Sequence, residues 1–259
     1  MFYCIIPLVV TDLANNKLKT IDGLEGLKQL RKLDLGANRI RSLPGTQLAG
    51  LTQLEELWLG KNKIDSLEGL KSLTTRNLRR LDVQSNRLTE IQDGCLPEHV
   101  QATLEEWYMA DNGIDTEGLA GLTVMRLVKL NVLDLSKNRL TDCRPLAAFT
   151  SLEELWLSGN RVESWDQVDS LAALVHLETI YLEYNPLAQS DPLYRKHLAE
   201  IFADNGVLRQ IDADPIGPAG RAGGGAALDR QAELQRLQAQ VVARARQETR
   251  EFQEATSSS

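Results

Sequence analysis

Three cysteines are scattered through 259 residues (Cys4, Cys95 and Cys143), with no CxxC pair and no even framework. That argues against a disulfide scaffold and a zinc site, and fits a reducing compartment. Histidine is equally sparse: His99, His176 and His197 are the whole set. None stands near a Cys or Ser in a nucleophile arrangement, and HExxH, GxSxG and P-loop patterns are missing, so no enzyme is expected. No Asn-x-Ser/Thr sequon occurs, which fits a chain outside the secretory pathway. Cations are outnumbered, 29 Lys and Arg against 36 Asp and Glu, for a net charge of −7. A general nucleic-acid binder needs a basic face, so nucleic acid is not an expected partner. The one long apolar run, residues 1–10, is too short to span a bilayer and has no basic leader or cleavage site, so no membrane partner is expected either.

What is abundant is leucine at fixed spacing. Aligned on asparagine, the chain repeats the pattern L-x-x-L-x-L-x-x-N-x-L/I. Leu30-RK-Leu33-D-Leu35-GA-Asn38-R-Ile40 is one copy and Leu54-EE-Leu57-W-Leu59-GK-Asn62-K-Ile64 the next. The asparagines stand at 16, 38, 62, 86, 112, 138, 160 and 185, in steps of 22 to 26. Periods of this size belong to leucine-rich repeats, whose units must stack to bury their apolar faces. The expected fold is therefore α/β: a leucine-rich-repeat solenoid, or horseshoe, with a parallel concave β-sheet and convex turns and short helices. Each Asn is expected to bond backbone groups at the tight turn after its strand. Cys143 takes a leucine position and is expected in the core, as is Trp107.

Residues 1–187 make about eight repeats, the first incomplete. Residues 188–213 carry helical spacing and one more apolar strand, and read as a C-terminal cap. No cap precedes the first repeat. The chain opens in mid-repeat with Phe2, Ile5, Ile6 and Leu8 set to be exposed, which suggests a truncated start. Residues 214–226 are a Gly/Pro/Ala linker, 227–255 a charged helical tail and 256–259 a disordered end.

Alternation along L-x-x-L-x-L sends leucines inward and the residues between them onto the concave face. The position between the last two leucines reads Asp12, Asp34, Trp58, Asp82, Tyr108, Asp134, Trp156, Tyr181 down the array. Two positions earlier stand Glu56, Glu106 and Glu154. Exposed Trp and Tyr beside carboxylates have the character of binding anchors, and an acidic surround steers a basic partner. The candidate partner-binding residues are Asp34, Trp58, Asp82, Tyr108, Asp134, Glu154, Trp156 and Tyr181. No cofactor or metal site is expected.

The runs LWLGKNKI (57–64), VQSNRLTEI (83–91), ESWDQVDSL (163–171), LETIYLEYNPL (177–187), LYRK (193–196) and LRQIDA (208–213) resemble the leucine-rich-repeat regulatory subunit 7 family of protein phosphatase type 1, over roughly residues 11–213. The resemblance implies a non-enzymatic subunit of nucleus and cytoplasm, monomeric on its own. Its concave face would grip the phosphatase catalytic subunit away from the active site, with room for a further phosphatase regulator. The family's acidic and aromatic contacts fall here on Asp34, Trp58, Asp134, Glu154, Trp156 and Tyr181. Asp12 departs from the family, which is aromatic there, and the 24- and 26-residue repeats depart from its regular 22. The alternative is a scaffold of an axonemal, centrosomal or splicing assembly.

Overall fold

A computed structural model describes residues 8–203 and 206–216. Phe2, Cys4, Ile5 and Ile6, nearly all of the 214–226 linker, the 227–255 helix and the 256–259 end lie outside the described residues. The described residues belong to one compact unit that ends at Ile216.

Ten short strands form one sheet in chain order: β1 (Val10–Asp12), β2 (Lys32–Asp34), β3 (Glu56–Trp58), β4 (Arg80–Asp82), β5 (Glu106–Tyr108), β6 (Val132–Asp134), β7 (Glu154–Trp156), β8 (Thr179–Tyr181), β9 (Gln210–Ile211) and β10 (Asp214–Pro215). β1 to β9 pair parallel, each with the next. β10 turns back antiparallel on β9, placing Pro215 opposite Gln210. The middle residue of each strand points inward: Leu33, Leu57, Leu81, Trp107, Leu133, Leu155 and Ile180 have no exposed surface. They join one continuous core that also takes Cys95 and Cys143. In β1 the equivalent residue is Thr11, half-buried, and Leu8 is exposed.

The asparagines tie each repeat to the one before it. Asn138 donates to the carbonyl of Leu135 in its own turn and to that of Met109 one repeat back, both at 3.0 Å. Its Oδ1 accepts the Ile114 N–H at 3.1 Å. Asn38, Asn62, Asn86, Asn112, Asn160 and Asn185 do the same between their own repeats. The residue before the Asn takes a left-handed turn: φ is +52° at Ala37, +56° at Lys61 and +53° at Lys137.

Convex connections are one-turn helices such as Gly45–Leu48 and Glu98–Gln101, and 3-10 turns such as Glu68–Ser72 and Arg144–Ala148. Repeats touch there through glycine. A Cβ on Gly121 would stand 2.0 Å from the Ile91 carbonyl oxygen, so only glycine admits this approach.

The last repeat is covered by the helices Pro186–Ser190 and Tyr194–Ile201 and by β9. Asp212, level with Tyr181, uses its side chain where earlier strands use a backbone carbonyl: its Oδ1 accepts the N–H groups of Leu182 and Glu183 at 3.0 and 3.1 Å. The Tyr194 hydroxyl donates to its other oxygen, and the Arg195 guanidinium lies 3.6 Å from it. The LYRK and LRQIDA runs, separate in sequence, thus meet on one carboxylate.

Candidate functional site

Two rows of side chains line the open face of the sheet. The register aligns Asp12, Asp34, Trp58, Asp82, Tyr108, Asp134, Trp156 and Tyr181 as the last residues of successive strands. The first residues of β2 to β9 align as Lys32, Glu56, Arg80, Glu106, Val132, Glu154, Thr179 and Gln210. All eight predicted partner-binding residues therefore lie on one face.

They do not stand out to solvent as the alternation implies. Trp58, Tyr108, Trp156 and Tyr181 are only 4%, 8%, 8% and 5% exposed, and Asp34, Asp82 and Asp134 only 8%, 3% and 1%. The aspartates are short enough to turn back on their own chain. Asp34, Asp82 and Asp134 accept the N–H two residues on, from Gly36, Gln84 and Ser136, at 2.9, 2.8 and 2.9 Å. This is the Asx-type bond that small polar residues make at turns. The free charges expected at these positions are structural carboxylates.

The rings crowd in beside them. Tyr108 and Trp156 are two strands apart, a gap of about 9.6 Å at sheet spacing. Yet their centroids lie 6.4 Å apart, edge-on, so they lean together across β6 and Asp134. Trp156 and Tyr181 stand 5.4 Å apart. Each ring is tethered by a neighbour in the other row. The Trp58 indole donates to Glu56 at 3.0 Å, the Tyr108 hydroxyl to Glu106 at 2.7 Å and the Trp156 indole to Glu154 at 3.2 Å. Gln210 donates to the Tyr181 oxygen at 2.8 Å.

The sequence reading missed two cations. Lys32 and Arg80 flank Glu56 at 3.2 and 3.4 Å, and Arg80 also pairs with Glu106 at 2.6 Å. Both sit over the Trp58 ring, 5.4 and 5.6 Å from its centroid. The signal was there: the row of Glu56, Glu106 and Glu154 contains Lys32 and Arg80 at the same repeat position.

Charge is therefore divided along the face. Burial penalises Glu106, yet the Arg80 bond and charge hold it below the usual carboxylate range. Glu154 is raised, by burial and then by Glu106, Glu153 and Glu178, with only the Trp156 indole opposing. Burial pushes Asp82 up to about 7, with Asp134 and Asp34 adding to it against the bonds from Gln84. Burial and Glu154 raise Tyr181 to about 12.

Among the described residues, no group of three or more His, Cys, Asp or Glu could hold a metal ion, and no helix is long and apolar enough to cross a membrane. His99 bonds the Leu73 carbonyl at 3.0 Å, and His197 bonds Asp191 at 2.6 Å beside Trp165. Both are tied into inter-repeat or cap contacts.

Models of "Leucine Rich repeats (2 copies)" match residues 12–46, 29–72 and 128–170, and one of a single "Leucine Rich repeat" matches 100–122. The repeats are leucine-rich repeats. This leucine-rich-repeat solenoid is similar to a leucine-rich-repeat protein of Leptospira interrogans, with a TM-score of 0.63 at 24% identity over 78% of this chain and 48% of that one. In sequence it is 39% identical over 72 residues to protein phosphatase 1 regulatory subunit SDS22 of Schizosaccharomyces pombe, covering 27% of this chain and 21% of the relative. It is 37% identical over 175 residues to the protein phosphatase 1 regulatory inhibitor subunit PPP1R7 homolog of Arabidopsis thaliana, covering 60% and 52%. Podocan of Mus musculus is 32% identical over 167 residues, covering 64% and 22%. The chain thus spans between about a fifth and about half of the length of these relatives.

Proposed function

We propose that the chain is a non-enzymatic regulatory subunit that binds the catalytic subunit of protein phosphatase type 1 through the acidic and aromatic face of its sheet. Two relatives bear the name of such subunits. The observation that carries the reading is a contrast between two copies of one element. β3 and β7 are both Glu-Leu-Trp, and in both the indole donates to the glutamate. In β3 the unit is filled by the chain itself, with Lys32 and Arg80 on the carboxylate and over the ring. In β7 the flanking residues are Val132 and Thr179, and Glu154 makes no ion pair among the described residues. A basic side chain from a partner would supply there what Lys32 and Arg80 supply at Trp58.

The test is capture of purified phosphatase catalytic subunit by the full chain, beside Glu154→Gln and Trp156→Ala. Capture by wild type, weakened at least tenfold in both variants, supports the partner and the face. Equal capture by all three keeps the partner and moves the contact elsewhere. No capture by a folded wild-type chain removes the phosphatase and leaves the scaffold reading. A nuclear and cytoplasmic location belongs to the same reading and is checked by imaging the tagged full chain.

A further inference from the structure

The turn after each strand carries a second ladder, independent of the sheet face. From Asn38 to Asn160, the residue following each ladder asparagine donates its backbone N–H one repeat back. Arg39 bonds Leu18, Lys63 bonds Ile40, Arg87 bonds Ile64, Arg139 bonds Ile114 and Arg161 bonds Leu140, each at 2.8 Å, and Gly113 bonds Leu88 at 2.7 Å. These residues therefore stack in register along one edge of the solenoid. With Lys17 at the head and Pro186 after Asn185 at the foot, six of the eight positions are Lys or Arg, broken only at Gly113 before the row ends at Arg161. Lys63 is half-buried and the other five are exposed. None of the six makes an ion pair or side-chain hydrogen bond among the described residues. The gap at Gly113 is covered, because the Arg139 guanidinium carbon lies 3.9 Å from where a Cβ would stand on Gly113.

An acidic chain thus keeps a line of unpaired cations at a repeat of about 4.8 Å, roughly 29 Å long. Chance placement would scatter them, and the cations of the sheet face are all paired. We propose that this row is a second docking surface, for an acidic face of an α-helix in a partner protein. The pitch selects the helix: residues three and four apart on a helix lie about 5–6 Å apart, in step with the row. Same-side residues of an extended strand recur every 6.6–6.8 Å or so and fall out of step within about three repeats. The flanks select one charged stripe over a uniform polyanion. Two residues further on, the parallel row begins with Lys19 and Arg41 but then reads Asp65, Thr89, Asp115, Thr141 and Glu163. Those carboxylates repel phosphates presented on both sides, whereas a helix can place glutamates on the cations and neutral residues beside the acids. The sheet face and this edge are of opposite character, so the solenoid can hold a basic and an acidic partner together.

The experiment measures binding of the full chain to an alanine-rich helical peptide with glutamates along one face, at two salt concentrations. A peptide of the same composition with the glutamates spread around the helix, a single-stranded oligonucleotide and a duplex are run beside it. The stripe peptide is expected to bind most tightly and to weaken with salt. Arg39→Glu/Lys63→Glu/Arg87→Glu should lose at least tenfold, the matching triple Gln variant should lose less, and Trp156→Ala should bind as wild type. No binding, equal binding of the scrambled peptide, tighter binding of either oligonucleotide, or indifference to the triple variants in a folded chain would each overturn the proposal.

Discussion

The rings of Tyr108 and Trp156 meet edge-on with their centroids 6.4 Å apart, across a strand whose own residue at that level, Asp134, is only 1% exposed. The aromatic half of the face is therefore a packed layer with a carboxylate beneath it. Under the proposed function, a partner would meet ring edges and the Glu154 carboxylate.

Trp156 is the centre of that layer, with Tyr108 on one side and Tyr181 on the other. Trp156→Ala is expected to weaken partner binding by about 2 kcal/mol or more, the size of an interface hot spot. Trp156→Phe keeps the ring but frees Glu154 of its indole bond, and should fall between. Titration calorimetry with the catalytic subunit, after circular dichroism has shown both variants folded, checks the order.

Sequence alone nominates Asp134 as a steering charge, and burial rules it out. Its carboxylate accepts the Ser136 N–H, so Asp134→Ala leaves a buried donor without a partner, at a cost of about 1–3 kcal/mol. Asp134→Asn retains an acceptor and should lose clearly less in urea unfolding. Under the proposed function, steering would fall instead to exposed acids such as Glu153. There a change to Lys should slow association and flatten its salt dependence, and an unaltered rate in stopped flow would exclude the role.

Asp82 makes stability depend on pH. Its folded value of about 7 stands above an unfolded value of about 3.9. Between those limits the folded chain holds a proton that the unfolded chain has released. The contribution is full below about pH 4 and is lost as pH rises through 7, amounting to at most about 4 kcal/mol. Asp82→Asn should match wild type in its pH trend near pH 4 and lose the decline toward pH 8. Parallel urea titrations across that range would show it.

The left-handed residue before each ladder asparagine is a second place to intervene. At Lys137, with φ of +53°, glycine relieves strain and should raise stability by about 0.5–1 kcal/mol. One residue on, Asn138→Ala strands the Ile114 N–H and the carbonyls of Met109 and Leu135, and should cost several times more. Thermal melts of the two single variants give opposite signs if the turn is built as described.

The repeat spacing alone was enough to place the leucines, Cys143 and Trp107 inside and the asparagines at the turns, because those positions obey a local period. It also aligned the eight candidate residues on one face. It did not reveal their burial, because that depends on how far a ring leans across a neighbouring strand. Nor did it show that Asp34, Asp82 and Asp134 satisfy their own backbone: an aspartate that binds a partner and one that closes a turn look identical in the pattern. Lys32 and Arg80 are legible in the repeat, at the position that carries Glu56, Glu106 and Glu154 in other copies, but their pairing over Trp58 depends on side-chain reach between strands.

Among the described residues, one end of the sheet is guarded against growth. β10 reverses direction and ends in Pro215, which has no N–H to offer a further strand. A stack of parallel repeats is otherwise a template for more of the same, and a second molecule could add to it end on end as a filament. Among the described residues, the reversed strand and its proline make that side a poor template for such polymerisation.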